Sequence, residues 1–491
     1  MEVVFLVLAI IGIPSALVGG YQLYRLFRRR PDAQIVGLGR QVERLQRTLD
    51  EMKDVFNHHF GIAERAAEQL VATSDEERLH LLAEATKAQR EHRYAEAVRL
   101  LEPCLRPNLP PQERAALHNL IGNSYMYMGQ QREAECHYRQ LLAAAEEMDD
   151  DQARAAALNN LGLVYAQRGE LGKAEEHHKK ALAIHGETGN RLGQAQNLGN
   201  LGIVHADRGQ LGKAEEHYKK ALAIDEEIGN RLGQAANLGN LGIVYADRGQ
   251  LGKAEEHHKK SLAIHQDIDD RLGHANDLAN LGVVYHLRGE AAKAEEHLKQ
   301  ALAIDEEIGN RLGQANALGS LGLVYTATGD VDRAEHHLKQ ALGIHEQIGN
   351  RLGQANQLGN LGNVYADRGE LDEAEGHYKR ALAIDEEIGN RLGQANQLGN
   401  LGLVYARKGE LAKAEEHFNR ALAIDEEIGN RLDQAQDLSN LGLLYARRGS
   451  APNALRHLRE ARRIFAEVGA SADVEKATAL IEMFGRGLGD P

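Results

Sequence analysis

Residues 195–234 read AQNLGNLGIVHADRGQLGKAEEHYKKALAIDEEIGNRLGQ, and this phrase recurs with few changes along most of the 491-residue chain. The glycines Gly169, Gly209, Gly249, Gly289, Gly329, Gly369, Gly409 and Gly449 stand 40 residues apart. A fixed period of this size marks a solenoid, in which each unit buries its apolar face only against its neighbours. Within the quoted copy, Leu198, Leu201, Val204 and His205 (Tyr in most copies) share one face of a helix. Leu211, Ala214, Tyr218, Ala221, Leu222 and Asp225 mark a second helix, all but the last apolar. Gly209 breaks the first helix from the second. Gly229-Asn230 ends the second with residues that tolerate the left-handed cap conformation. Each copy therefore predicts helix, tight turn, helix, turn.

Eight close copies run from Ala155 to about Gly469. Residues 115–154 make a good earlier pair, with Gly122, Tyr125, Gly129, Ala134 and Leu141 in place, and residues 78–112 a divergent one. Ala477, Leu480, Ile481 and Phe484 form the apolar face of a final helix that caps the stack. The expected fold is all-α: a right-handed superhelical α-solenoid of antiparallel helix pairs, preceded by an N-terminal transmembrane helix. The expected divisions are 1–31 (anchor and basic flank), 32–76 (helical linker), 77–469 (about ten helix pairs) and 470–491 (capping helix and tail).

The anchor is read from Val3 to Tyr24, 22 residues without a charge, with Arg25, Arg28, Arg29 and Arg30 directly after. At ~1.5 Å per residue such a helix spans a bilayer core of ~30 Å. The arginines place the repeats on the cytoplasmic side, which makes the expectation a single-pass membrane protein held through residues 3–24. A cleaved signal fits less well, because its positive charge would precede the apolar run. Leu38, Val42, Leu45, Leu49, Met52 and Phe56 then follow a heptad spacing. Residues 38–56 are read either as a coiled coil joining a homodimer or as a lone amphipathic helix. The formal charge of -14 argues against nucleic acid as a partner. Two cysteines, Cys104 and Cys136, make no disulfide framework.

Leu201-Gly202, Tyr218, Ala221, Tyr245, Gly249 and Ala254, at their places in the unit, resemble the tetratricopeptide repeat. The forty-residue variant, with Leu361-Gly362-Asn363-Val364-Tyr365 and Glu216-His217-Tyr218, looks like the repeats of LGN/Pins-type polarity adaptors and, less closely, of kinesin light chains. The resemblance covers roughly residues 78–484. It implies first helices lining a concave groove, with asparagines holding a bound peptide. No GoLoco-like segment follows the repeats, so a spindle or motor role is not carried over.

Function in such a chain is sought in columns. Opposite the core face of the first helices stand Asn160, Asn200, Asn240, Asn280, Ser320, Asn360, Asn400 and Asn440. Beside them stand Gln196, Ala236, Asn276, Asn316, Asn356, Asn396 and Gln436. A side-chain amide both donates and accepts, so a row of amides can pair with the backbone of an extended peptide. The bland alternative is that these asparagines stitch neighbouring helices. Gly202 and Gly242 are read as close helix contacts. Gly199, Gly239, Gly319, Gly359 and Gly399 either share that role or leave room for a ligand backbone.

The column His137, His177, His217, His257, His297, His337, His377, His417 and His457 is read as half-buried packing. Packed helices ~8–10 Å apart do not bring successive imidazoles within the ~2 Å bonds of a shared zinc ion. Acidic runs such as Asp225-Glu226-Glu227 are read as solvated. No catalytic constellation, metal site or cofactor motif stands out. The expected function is a membrane-anchored scaffold binding a peptide or protein tail. The rival is a self-assembling homo-oligomeric scaffold. Breaks in the repetition at His286, Ser320, Thr326 and Asn363 point to the middle repeats as the place where a partner is chosen.

Overall fold

The computed structural model describes residues 76–485. Among these residues the chain is all-helical, a repeat solenoid of 21 α-helices with one short 3₁₀ turn and no strand. It divides into two units, residues 1–248 and 249–491. The described part of the first unit comprises α1 (Glu76–Arg90), α2 (Tyr94–Leu101), α3 (Pro111–Tyr127), α4 (Gln131–Glu147), α5 (Asp151–Gln167), α6 (Leu171–Glu187), α7 (Arg191–Asp207), α8 (Leu211–Glu227) and α9 (Arg231–Asp247). The second comprises α10 (Leu251–Asp267), α11 (Arg271–Leu287), α12 (Ala291–Glu307), α13 (Arg311–Ala327), α14 (Val331–Gln347), α15 (Arg351–Arg368), α16 (Leu371–Ile388), α17 (Arg391–Lys408), α18 (Leu411–Ile428), α19 (Arg431–Arg447), α20 (Ala451–Glu467) and α21 (Ser471–Gly485).

The Gly-Asn connection serves two helices at once. Gly389 takes φ 71° and closes α16, a conformation that suits a residue without Cβ. Asn390 then caps α17, its Oδ1 accepting the Gly393 N–H at 3.2 Å. The same cap recurs at Asn190, Asn230, Asn310, Asn350 and Asn430, and at Asp270 where Asp stands for Asn.

Within a pair, the first helix leans its second glycine on one large side chain of the second helix. A Cβ added to Gly202 would lie 2.5 Å from the Tyr218 ring, and one on Gly362 2.5 Å from Tyr378. Leu298 and Leu338 fill the same place against Gly282 and Gly322, and Phe418 against Gly402. Between pairs, a glutamate of one second helix clasps the next first helix. Glu255 accepts the Tyr285 hydroxyl at 2.8 Å and pairs with Arg288, and Glu335 does the same with Tyr365 (2.7 Å) and Arg368. Lys259 hydrogen-bonds Glu255 and, with these partners, holds its carboxyl down at about 2. At the C-terminus, Ala477 of α21 joins Ala435, Leu438, Ala461, Ile464 and Phe465 in one apolar cluster.

Two expectations are revised. Among the described residues no helix is long and apolar enough to cross a membrane, which overturns the single-pass membrane placement. The segment 3–24 on which that placement rested, and the heptads of residues 38–56, lie outside the described residues. Second, the acidic runs are not wholly solvated: Asp225, Asp305, Asp385 and Asp425 are buried, whereas the glutamates after them are exposed. Their place on the second helix turns them toward the next first helix.

The glycine contacts give a paired prediction. Gly362→Ala drives a methyl into Tyr378 and is expected to cost about 1–3 kcal/mol. Gly376→Ala, on an exposed helix position with nothing within 4 Å, is expected to stabilise by about 0.5–1 kcal/mol. Urea midpoints of the two variants moving in the same direction would contradict this.

Candidate functional site

The first helices turn their core positions inward and leave a polar stripe on the other side. In α9, Leu238, Leu241, Gly242 and Tyr245 are buried, Asn240 is half-buried, and Ala236 and Ile243 are exposed. The stripe is not chemically uniform. In the first unit Asn160 donates to Asn119 Oδ1 and Asn200 to Asn159 Oδ1, each at 2.9 Å, so both stitch successive first helices. Asn240 in the same unit, and Asn280, Asn360, Asn400 and Asn440 in the second, are half-buried without a side-chain hydrogen-bond partner among the described residues. Asn276, Asn316, Asn356 and Asn396 are exposed.

In the second unit many of these side chains converge. Asn316, Ser320, Asn356, Asn360, Asn363, Asn396 and Asn400 line one cavity of about 550 Å³ on α13, α15 and α17. Gln357 and Gln397 lie at its base, each with a buried Oε1 that has no partner. Gly319 and Gly359 line it too. A Cβ on either would meet the amide of Gln357 or Gln397 at 2.9 and 3.0 Å, so these glycines already serve helix packing. Gly199 and Gly399 lie in the same way against Asn237 and Asp437, at 3.6 and 3.4 Å. Asn276 and Asn280 line neither this cavity nor the next.

A second cavity of about 520 Å³ shares Asn363 and Asn400 and adds Asn440. Its walls are apolar: Leu403, Val404, Leu443, Leu444, Tyr378 and Phe418. Ile203, Ile243, Val283, Leu323, Leu403 and Leu443 form an exposed aliphatic column, but Asn363 stands in it and turns to accept the Tyr378 hydroxyl at 2.6 Å. Asn123 does the same for Tyr138 at 2.8 Å in the first unit. Burial, and then Asp367, raises the Tyr378 phenol, which stays protonated.

Arg407 and Arg447 stand on the rim of this second cavity. Each donates to a backbone carbonyl of the preceding first helix, Arg407 to Ala366 at 2.7 Å and Arg447 to Ala406 at 3.3 Å. Neither has a carboxylate in ion-pair range among the described residues. The cations beside them differ: Lys408 binds Glu375 at 2.5 Å, and Arg448 pairs with Glu415. Asp367 is the one acidic residue lining this cavity.

The histidine column packs. His177 Nδ1 donates to the Lys173 carbonyl at 2.8 Å and its ring lies 5.0 Å from Tyr165. His297, His337, His377 and His417 repeat the arrangement. His286 and Thr326 are half-buried, and Thr326 lines the apolar cavity. Two features escaped the sequence reading. One is the pair of unneutralised arginines, which only the absence of any Glu or Asp at the usual clasp spacing could have flagged. The other is a buried polar column between repeats, in which Asp225 accepts from Asn230 at 2.7 Å and from Asn237 at 2.8 Å.

A stack of antiparallel helix pairs with a polar stripe on its first helices defines a helical-repeat protein. The model of the tetratricopeptide repeat matches residues 153–227, 233–307, 313–387 and 393–467, and the chain belongs to that family. None of the curated proteins compared with it matches. Among solved structures, it is similar to the apo form of the quorum sensor NprR from B. thuringiensis, at 16% identity and a TM-score of 0.52, over 72% of this chain and 99% of that one. It is also similar to a Rap protein complexed with Competence and Sporulation Factor, at 15% identity and a TM-score of 0.51, over 72% and 99%. At these identities the likeness is one of fold.

The two kinds of asparagine should respond differently to truncation. Asn200→Ala leaves the buried Asn159 Oδ1 without its donor and is expected to cost about 1–2 kcal/mol. Asn360→Ala removes no internal bond and is expected to change stability by less than about 0.5 kcal/mol. Equal losses in chemical denaturation would show that Asn360 is structural too.

Proposed function

We propose that this chain is a non-catalytic binding protein that holds an extended peptide or protein tail along the first helices of its second unit. The observation that carries the reading is the cavity lined by Asn316, Asn356, Asn360, Asn363, Asn396 and Asn400. Asn316, Asn356, Asn360, Asn396 and Asn400 have no side-chain partner among the described residues, and a peptide backbone offers alternating N–H and C=O groups that pair with such amides in place of water. Asn276, Asn280 and Asn440 of the second unit belong to the same proposed set, and Asn240 is their counterpart in the first unit. Asn160 and Asn200 enter it only by giving up the bonds they already make.

The neighbouring apolar cavity adds selectivity. A row of amides reads backbone and not side chains. A large apolar side chain seated among Leu403, Leu443, Tyr378 and Phe418 would fix the register of the peptide. Arg407 and Arg447, without carboxylate partners, favour acidic residues beside that anchor. A chain whose formal charge is -14 otherwise repels such a peptide, so these two positions would decide where it lies. The Rap protein of the same fold was solved with Competence and Sporulation Factor bound, which supports the idea that a helix stack of this kind accommodates a partner.

Selection of random nine-residue peptides on the full chain tests the reading. Enriched peptides should carry a large apolar residue with Asp or Glu beside it. Replacing Asn356, Asn360, Asn396 and Asn400 by Ala should weaken them at least tenfold, about 1.4 kcal/mol. Arg407→Glu with Arg447→Glu should remove the acidic preference while leaving backbone binding measurable. If no peptide is enriched, or the four-asparagine variant binds as well as the parent, the groove is not the site.

A further inference from the structure

The contact between a second helix and the next first helix follows a common pattern at several junctions; α10–α11 varies it with His265, His274 and Asp277, and α18–α19 varies it by adding a carboxylate at position 433. At α8–α9, Asp225 is buried and receives both donors within reach, Asn230 Nδ2 at 2.7 Å and Asn237 Nδ2 at 2.8 Å. Gln234 Nε2 closes the junction on the Asp225 carbonyl at 3.0 Å. Gln194, Gln314, Gln354 and Gln394 make the matching bond to His185, Asp305, His345 and Asp385, at 2.9–3.2 Å. The third residue of each of these first helices is glycine, because a Cβ there has no room: on Gly393 it would lie 2.3 Å from Asn390 Nδ2 and 2.4 Å from Asp385 Oδ1.

The α18–α19 junction departs from this pattern at two places together. Asp433 stands where α7, α9, α11, α13, α15 and α17 have glycine, and Asp437 where these helices have Asn, Gln, Ala or, in α11, Asp277, which there faces His258 and His265. The hydrogen bonds move accordingly. Asn430 Nδ2 donates to Asp433 Oδ2 at 2.6 Å and no longer to the acid of the preceding helix. Gln434 Nε2 reaches Glu426 Oε1 at 3.2 Å in place of the Asp425 carbonyl. Asp425 and Asp437 are 2% and 5% exposed, so both have left water. Asp425 Oδ1 and Asp437 Oδ2 are buried with no hydrogen-bond partner.

No cation compensates. From α18 the junction sees Asp425 and Glu426. From α17 it sees Gly399, whose absent Cβ would touch Asp437 Oδ1. Arg431, at the start of α19, is engaged by Gln434 Oε1 and by Glu467 of α20. The α20 and α21 side chains clustered with α19 are Ala461, Ile464, Phe465 and Ala477, all apolar. Two buried carboxyl groups in such a setting cannot both be ionised without large cost, and neutralise by holding protons.

We propose that the α18–α19 junction is a proton-held joint: the segment α19–α21 docks firmly while Asp425 and Asp437 are protonated, and loosens when they ionise. Burial, and then Asp433, pushes Asp425 up to about 6. Burial, and then Asp425 and Asp433, pushes Asp437 up to about 8. Both values lie above the ordinary carboxylate range of the unfolded chain, ~3.9. The protonated groups' contribution is therefore full below about pH 4 and is lost as pH rises through the folded-state values. The window falls across neutrality, opposite in sign to the glutamate clasps, which weaken only in acid. The joint closes one end of the second unit, so it regulates the packing of α19, which carries Asn440 and Arg447.

Hydrogen–deuterium exchange on the full chain, expressed as protection factors between pH 5.5 and 8.5, reads the joint directly. Amides of α19 and α20 should lose at least tenfold protection across that range, while those of α15 and α16 stay constant. In Asp433→Gly with Asp437→Gln, which restores the pattern at Gly393 and Gln397, protection should not change with pH. Asp437→Asn alone, the more conservative variant, should remove most of the dependence. Protection that is flat in the parent chain, or that falls equally in both variants, overturns the proposal.

Discussion

Most of the helix pairs depend on a contact between a glycine backbone and a large side chain. A first helix can approach its partner only where a glycine meets Tyr218, Leu298, Leu338, Tyr378 or Phe418, at separations that a methyl group would violate. Interior glycine weakens a helix by about 0.5–1 kcal/mol, so the contact must return that through packing. The close approach also sets how each first helix is rotated. With Gly362 turned to Tyr378, Leu361 and Val364 are buried and Asn360 lies half-buried to the side. The amide stripe is thus a by-product of the packing geometry as much as a separate feature.

From that rotation follows a division of labour among residues of similar type. Amides that reach another first helix, such as Asn160 and Asn200, serve cohesion. Amides without such a partner, such as Asn360 and Asn400, remain available at a cavity. Histidines divide likewise: His177 bonds its own helix backbone, while His185 and His345 are buried at junctions, where burial lowers their basicity. Cations also divide: Lys408 and Arg448 are neutralised by a glutamate clasp, whereas Arg407 and Arg447 rest on carbonyls with no carboxylate in range among the described residues. The same residue type therefore has different meaning on different faces, and in different copies of one face.

The helical architecture was legible because period, glycine and asparagine act locally. A 40-residue spacing, a left-handed glycine and an asparagine cap need no knowledge of distant contacts. Half-buried histidines were legible for the same reason, from their angle to the core face. What stayed hidden depends on the neighbouring repeat. Asp225 looked like the start of a solvated acidic run, since nothing in its own helix shows that Asn230 and Asn237 wrap around it. For Gly319 and Gly359 the sequence left packing and ligand room both open, because the Gln357 and Gln397 side chains that fill the space belong to the next repeat. Of the breaks in the repetition, Ser320, Thr326 and Asn363 line the cavities and His286 does not.

On α13, α15 and α17, packing leaves Asn316, Asn356, Asn360, Asn396 and Asn400 without partners among the described residues, and in the proposed complex a peptide backbone completes them. A crystal structure of the full chain with a peptide selected on it tests this most directly. The account predicts the peptide extended along these helices, with side-chain amides of Asn356, Asn360, Asn396 and Asn400 within about 2.7–3.2 Å of its main-chain N–H and C=O groups. A peptide bound elsewhere, or bound here while those amides pair with one another, would contradict it.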